Sequence, residues 1–422
     1  MLSKWQWLLS QLTRTLWVRA SLFAVLAIVT ALVAIPIQNM FTGSLPYSVG
    51  SDSVGSILNI LASSMLAVTT FSLSVMVTAY GAASTGATPR ATQLVRQDTT
   101  TQNVLATFLG SFLYSLVGII ALSTGLYGEN GRLILFLVTI AVVIIILATI
   151  LRWIEHLSVL GRVGETITRT EKAVSVALQS RVENPHLGAK QLPSDWQKPS
   201  DGYCLYLPCT GYVCHIDVGQ LNELASCNDI ELAVLVDPGS FVHPAEAVLW
   251  CSKEISEEAS AKLRAAFSIG VSRSFDQDPR FGLEVLAEIA SRALSPGVND
   301  AGTAIDVLSR SVRLLCLWKD HKCLEDDDEG IHFPNVRVAA LATNDLFDDI
   351  YSPIARDGAG IVEVQLRLQK SLLALVQNDA NVFRHAAVRH SELAMIYAQK
   401  YLLLPQDIER LTIISEAIKR VK

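Results

Sequence analysis

The chain has 422 residues, of which half are hydrophobic and only 18% charged, with a formal net charge of -6 and a mean hydropathy of +0.37. Ordinary globular domains carry roughly 25% charged residues, so the composition argues against a wholly soluble fold. The acidic balance leaves no broad basic surface for nucleic acid.

The charge deficit sits in the first 155 residues, where four apolar runs follow one another: Trp17–Ile37, Ile57–Tyr80, Val104–Thr124 and Leu133–Ile154. Each matches the roughly 20 helical residues needed to cross a hydrocarbon core. A bilayer leaves no water for exposed backbone groups, so such runs must close their hydrogen bonds as helices. Four in succession disfavour a buried soluble bundle. Lys4, Arg14 and Arg19 precede or open the first run, Arg90 and Arg96 lie in the second connection, and Arg152 and Arg162 follow the last run. The positive-inside bias then places both termini and the C-terminal domain in the cytoplasm, with the lipid bilayer as the first partner. No cleavable signal peptide is expected, because the first apolar run is of full span length with no clean cleavage site after it.

The second run, ILNILASSMLAVTTFSLSVMVTAY, is rich in hydroxyls. Two readings stay open. Hydroxyl-bearing and small side chains pack against neighbouring helices, or they line a wet path. For the second reading Ser63, Thr70, Ser74 and Thr78 are the candidate lining, because they fall near one helical stripe. Leu66 and Phe71 are the candidate constriction. The small-residue connection Gly81–Gln102 reads as an exposed loop whose Arg90 and Arg96 either ring a cytosolic mouth or meet lipid headgroups. A path of this kind is easier to build between copies of the chain than inside one, which makes a homo-oligomer the expected assembly. No buried acid, Arg or His occupies any run, which argues against a proton-coupled pump or a voltage sensor.

Beyond the last run, Leu151–Arg181 continues as helix, and Asn184–Ser200, with three prolines, reads as a linker. Residues 201–252 form a small β unit with short strands around GYCLYLPCTGYVCHIDV, ELAVLVD and AVLWC. The strand–turn–strand layout resembles half of a barrel-sandwich, yet no Lys lies between Tyr203 and Trp250, so a lysine-borne cofactor is excluded. Seven cysteines, an odd count at irregular spacing, give no disulfide framework. Cys204, Cys209 and Cys214 do not have the paired spacing of a structural zinc site. No metal and no cofactor are expected.

Residues 253–422 read as mainly helical, apart from an acidic loop at Glu325–Glu329 and a short strand at HFPNVRVAA. The segment FDQDPRFGLEVLAEIASRALSPGVNDAGTAIDVL predicts a helical hairpin joined at SPGVND. Asp276, Asp278 and Arg280 open its first helix; Ser295, Asn299 and Asp300 gather at the joint. The two ends lie about 22 Å apart along the helix, so they do not form one metal site. Helix capping, an intersubunit polar contact, and ion or ligand binding remain alternative roles for this motif. Tyr351-Ser352-Pro353 predicts a break, and three further helices close the chain, the middle one carrying Arg384, His385, Arg389 and His390.

With GYVCHIDV, DPGSFVHPAEAV and FDQDPRFGLEVLAEIASRALSPGVNDAGTA in hand, the chain resembles the DUF2254 family of predicted bacterial membrane proteins over nearly its whole length. Ala301 stands where the family pattern often has Pro, and Ala245 where it usually has Gly. The resemblance implies the membrane topology and a bacterial inner-membrane location, and no reaction. The fold class expected is a membrane α-helical domain of four transmembrane helices, 1–155, followed by a connector, 156–200, and an α+β cytosolic domain with a barrel-sandwich-like β unit and helical hairpins. No nucleophile elbow, Walker A loop, zincin motif or Rossmann glycine pattern is present. The leading functional class is a homo-oligomeric ion channel or membrane sensor, its ion or ligand unspecified. The alternative is a structural or regulatory membrane protein without conduction, and a membrane-associated enzyme comes third.

Overall fold

The computed structural model describes residues 6–8, scattered helical positions between 18 and 29, and residues 51–124, 129–321 and 330–421. The chain divides into two compact units, Leu8–Thr166 and Met1–Trp7 with Ile167–Lys422.

In the first unit, α1 runs Ser51–Gly86, a short α2 Thr92–Arg96, α3 Thr99–Ser123 and α4 Glu129–Leu157. By length and apolarity α1, α3 and α4 can each cross a bilayer. The expectation of four transmembrane helices is therefore corrected to three among the described residues. An apolar run qualifies as a span only as a continuous helix, and Trp17–Ile37, with the basic residues before it, falls outside the described residues except at isolated positions. The exposed loop expected at Gly81–Gln102 is also largely helical. α1 continues through an Ala-rich stretch to Gly86, α2 follows, and Asp98 caps α3 by accepting from the amides of Thr100 and Thr101.

One face of α1 is buried: Val54, Leu58, Met65, Ser72, Met76, Ala79 and Ala83 recur at helical spacing. This face packs on α3. Gly118 of α3 permits the approach, since a Cβ there would stand 3.0 Å from a Leu58 methyl. Tyr114 of α3 is buried and its hydroxyl lies 3.1 Å from Oγ1 of Thr139 on α4. α4 turns outward Leu137, Ile140, Ile144, Ile145, Leu147, Leu151 and Ile154, an aliphatic surface suited to lipid.

In the second unit, α5 (Val163–Glu183, beginning just before the unit boundary) is followed by β1 Ala189–Leu192, β2 Tyr203–Tyr206, β3 Gly211–Ile216, α6 Val218–Asn228, β4 Leu232–Val234, β5 Phe241–Val242, β6 Ala247–Cys251, α7 Glu257–Ala265 and β7 Phe267–Gly270. Then come α8 Pro279–Ala293, α9 Ala301–Leu317, β8 Phe333–Ala339, α10 Thr343–Asp357, α11 Val362–Asn378, α12 Ala380–Tyr401 and α13 Pro405–Arg420. Cys323 and the acidic run Glu325–Glu329 lie outside the described residues.

The barrel-sandwich expectation is overturned. The strands form two open sheets, one of five strands in the order β1-β8-β4-β6-β2 and one of three in the order β5-β3-β7. Two long-range pairings redirect the expected hairpins. β8 inserts in parallel between β1 and β4, while β3 leaves its neighbours to pair with β5 and β7. β1 itself lies in the segment read as a linker. A shared core of Leu205, Val213, Leu232, Val248, Leu249 and Val336 fixes the arrangement.

The helices α8 to α13 form a second layer. α8 packs on α9 and α10, and α11 on α9 and α12. The break expected at Pro353 does not occur: α10 runs through it to Asp357. An internal proline costs about 3 kcal/mol, and the burial of Ile350, Tyr351, Ile354 and Ala355 on the same helix offsets it.

Candidate functional site

Ser63, Thr70, Ser74 and Thr78 share one face of α1, and that face is exposed. Leu66 and Phe71 flank it and are exposed too. These six side chains lie opposite the stripe that α1 buries against α3. The stripe continues in both directions with small or polar residues, from Ser56 and Asn59 to Gly81 and Thr85, all exposed. Several hydroxyls bond to their own helix: Ser63 to the Asn59 carbonyl at 3.0 Å, Thr70 to that of Ala67 at 2.9 Å, Thr78 to that of Ser74 at 3.0 Å. Such bonds make a hydroxyl tolerable in lipid and leave the oxygen an acceptor for a partner. Arg90 and Arg96 are exposed on the connection between α1 and α3.

The motif of the second unit resolves into two separate places. At the joint between α8 and α9, Asn299 takes a positive φ of 52°. Asp300 caps α9 by accepting from the Thr303 amide at 3.0 Å and from the Thr303 hydroxyl at 2.6 Å. The Ser295 hydroxyl donates to the Arg292 carbonyl. The Thr303 hydroxyl, and then its amide, hold the Asp300 carboxyl below the usual carboxylate range.

At the other end of α8 the acidic residues diverge in role. Asp278, 3% exposed, caps α8 through the Phe281 amide and receives two bonds from Arg273 at 2.8 and 3.1 Å. Arg273 also grips Glu284 and lies over the Phe281 ring at 5.0 Å. Arg280 spans to α10, bonding both oxygens of Asp349 and one of Asp345. Between them, the Gln277 amide takes the Ile216 N–H and donates to the Ile216 carbonyl, extending the end of β3. The turn Asp237–Ser240 presses on the same place. Gly239, at φ 95°, sits so close that a Cβ there would fall 2.0 Å from Oδ2 of Asp278.

Three separate segments, GYVCHIDV, the DPGS turn and FDQDPR, thus converge on one spot, and a fourth residue meets them there. Arg181, on the last turn of α5, is only 7% exposed. Burial draws its guanidinium below the ordinary value, while the carboxylates of Asp237 and Asp278 oppose the change. Its Nε has no hydrogen-bond partner among the described residues. It lines a cavity of about 370 Å³ together with Trp7, Leu187, His215, Asp276 and Gln277. Trp7 stacks on His215 at 5.3 Å between ring centroids and donates its indole N–H to Asp276 at 2.8 Å. Leu187 belongs to a buried turn in which His186, Leu187 and Gly188 all have positive φ, 51°, 57° and 75°. For non-glycine residues that conformation is strained and persists only where the surroundings hold it.

Arg181 is the residue that sequence reasoning missed. Its signal was its place on the apolar stripe of α5, seven residues after Val174 and among Ala177 and Leu178, all buried. A cation on the buried face of a helix carries a large desolvation cost unless something compensates it. Among the described residues no group of His, Cys, Asp and Glu side chains is arranged to hold a metal ion.

Comparison with known proteins bears on the chain as a whole. A protein-family profile described as "Predicted membrane protein (DUF2254)" matches residues 13–374. Uncharacterised proteins of Mycobacterium bovis and Mycobacterium tuberculosis are each 25% identical over 221 residues, half of this chain and 42% of theirs. The chain therefore spans about two fifths of the length of these curated relatives. No solved structure matches.

Proposed function

The chain belongs to the DUF2254 family of predicted membrane proteins, and we propose that this multi-pass membrane protein works as a homo-oligomeric channel in the bacterial inner membrane. Copies meet through the hydroxyl-bearing face of α1, which turns toward the symmetry axis and lines a narrow path for small ions. The observation that carries this reading is the contrast between two exposed faces of one unit. Between Leu137 and Leu151 the exposed side chains of α4 are all aliphatic, as a lipid contact requires, while α1 presents Ser56, Asn59, Ser63, Thr70, Ser74, Thr78 and Thr85 along its length. An amide and a row of hydroxyls gain nothing from hydrocarbon, and small residues permit close helix approach. Ser63, Thr70, Ser74 and Thr78 would face the path, and Leu66 and Phe71 would narrow it by excluding water.

The ends of the helices support an orientation. Arg90 and Arg96 lie in the α1–α3 connection, and Arg152 and Arg162 at and beyond the last turn of α4. These are helix ends on one side of the bilayer, and the positive-inside bias makes that side cytoplasmic. The chain that leaves α4, and with it the large second unit, then belongs to the cytoplasm. Arg90 and Arg96 at the mouth would favour anions, with screening over about 8 Å at physiological salt.

Reconstitution of the purified chain into a planar bilayer tests the reading. Unitary currents are expected, reduced when Ser74→Phe or Thr70→Phe fills the path. A silent bilayer with a monomeric chain would reject it in favour of a structural or regulatory membrane protein.

A further inference from the structure

We propose that the cleft between the start of α12 and the end of α13 binds a phosphate monoester, either a soluble one or a lipid headgroup, with Arg384 as its principal contact.

The basic cluster that the sequence places on α12 divides in the fold. His390 turns inward and is 2% exposed. Arg384, His385 and Arg389 stay at the surface, and with Lys419 of α13 they line a cleft of about 670 Å³. Helical spacing sets two rows, Asn381, His385 and Arg389 in one, Arg384 and Val388 in the other. α10 holds the first row. Nδ1 of His385 lies 3.3 Å from Oδ1 of Asn344, and Arg389 forks onto both oxygens of Asp348. α13 holds the second row, where Nη2 of Arg384 donates to the Lys419 carbonyl at 3.1 Å.

Arg384 differs from the other cations of the cleft in its partners. Arg389 faces Asp348, and Lys419 faces Glu392 at 3.0 Å and Glu416 at 3.8 Å. Arg384 makes no ion pair among the described residues. Its bond to a carbonyl holds the guanidinium in place, neutralises nothing and leaves most of its N–H donors unused. A guanidinium meets a phosphate through two parallel bonds, which is the match these donors allow.

The rest of the cleft narrows the ligand. Asp379 caps α12 by accepting from the Asn381 and Val382 amides, so recognition falls to the side chains. Ala380 and Val388 are the only apolar side chains on the lining, too little to hold a ring or an acyl chain. Binding therefore rests on charge. Glu392 is the one acid on the lining. Its pair with Lys419 is exposed, as is that of Arg389 with Asp348, and exposed pairs hold weakly enough for either cation to turn to a ligand. A carboxylate brings one negative charge. A phosphate monoester brings nearly two, on three oxygens, so it can engage Arg384 and a second cation together.

Calorimetric titration of the full chain in an uncharged detergent tests this. Glycerol 3-phosphate is the soluble probe, and dihexanoyl phosphatidic acid below its micelle concentration is the headgroup probe. Acetate and hexaglutamate are the comparison arms. At least one phosphate probe is expected to bind at one site per chain, at least tenfold more tightly than acetate, and the tighter of the two tells a soluble ligand from a lipid. Arg384→Gln should weaken it at least tenfold, while Lys400→Gln, at the far end of α12, should leave it unchanged. If Arg384→Gln fails to fold by thermal melting, Lys419→Gln carries the same expectation. No saturable heat with either phosphate probe, a loss below tenfold in the folded variant, or acetate binding as tightly as the phosphates would overturn the proposal. Tighter binding of hexaglutamate than of both phosphates would overturn it in favour of an acidic protein partner.

Discussion

The two units satisfy their polar side chains in opposite ways. In the membrane unit many hydroxyls turn back on their own helices: Ser63 on Asn59, Thr78 on Ser74, Ser111 on Thr107, Ser115 on Ser111, Thr149 on Ile145. In the second unit polar groups reach across the fold, as when Arg280 crosses from α8 to Asp345 and Asp349 on α10, or Gln277 clamps Ile216. The difference separates groups on which the fold depends from groups that remain available. On the exposed face of α1 a hydroxyl bonded one turn back can be replaced without disturbing the packing on α3, so its outward position is free to serve an interface. A buried charge with a distant partner cannot be replaced so cheaply.

The strongest challenge to that contrast is Arg273→Ala. It would strand Asp278, 3% exposed, and Glu284 without their shared cation. Breaking a buried pair from one side costs about 3 kcal/mol or more. Thermal melting of the full chain in detergent should show a large loss of stability; a change within error would mean that the second unit does not depend on this pair.

A somewhat smaller effect is expected from pH. His390, 2% exposed, packs against Phe347 and Tyr351. Burial pushes its imidazole down to about 4, against the pull of Asp348. The folded state therefore favours the neutral ring. Its contribution is full above the unfolded value of about 6.5, declines as pH falls below that, and levels off near the folded value. The loss reaches roughly 2 kcal/mol by about pH 5. Denaturant midpoints should fall over this window in the wild type and fall less in His390→Leu. Parallel profiles would contradict the assignment.

Asp300→Ala comes next, at about 1 kcal/mol for a lost cap. The carboxyl is held low by Thr303, so its contribution is present above the ordinary Asp value of about 3.9 and is lost as pH falls through the lower folded value. The variant should melt below the wild type at neutral pH, and the gap should close in acid. A gap of the same size at both ends would assign the destabilisation to something other than the charged cap.

The same contrast explains what the sequence made legible. The apolar runs of α1, α3 and α4, the stripe of Ser63, Thr70, Ser74 and Thr78, and the helical pair around SPGVND rest on local periodicity and on bonds to near neighbours. Asp278 before Pro279 and Asp300 before α9 are cap signals of the same local kind. The sheet was not legible, because β1 pairs with β8 across more than a hundred residues of chain and β3 abandons its sequence neighbours. The continuation of α10 through Pro353 depends on burial that only the assembled layer provides. Arg181 escaped for a related reason. Its one local mark is its place on the apolar stripe of α5; the three distant segments that close around it are not adjacent in sequence.

The smallest effect on stability is expected on α1 itself, where Thr70→Cys should change the melting temperature little. That makes it suited to the direct test of the central claim, that the outward face of α1 joins copies of the chain. In a background with the seven native cysteines replaced, Thr70→Cys and Ile144→Cys, the latter on the aliphatic face of α4, would be oxidised separately in native membranes. The account predicts a disulfide-linked dimer for Thr70→Cys and none for Ile144→Cys. A dimer for Ile144→Cys alone, or equal yields for both, would contradict it.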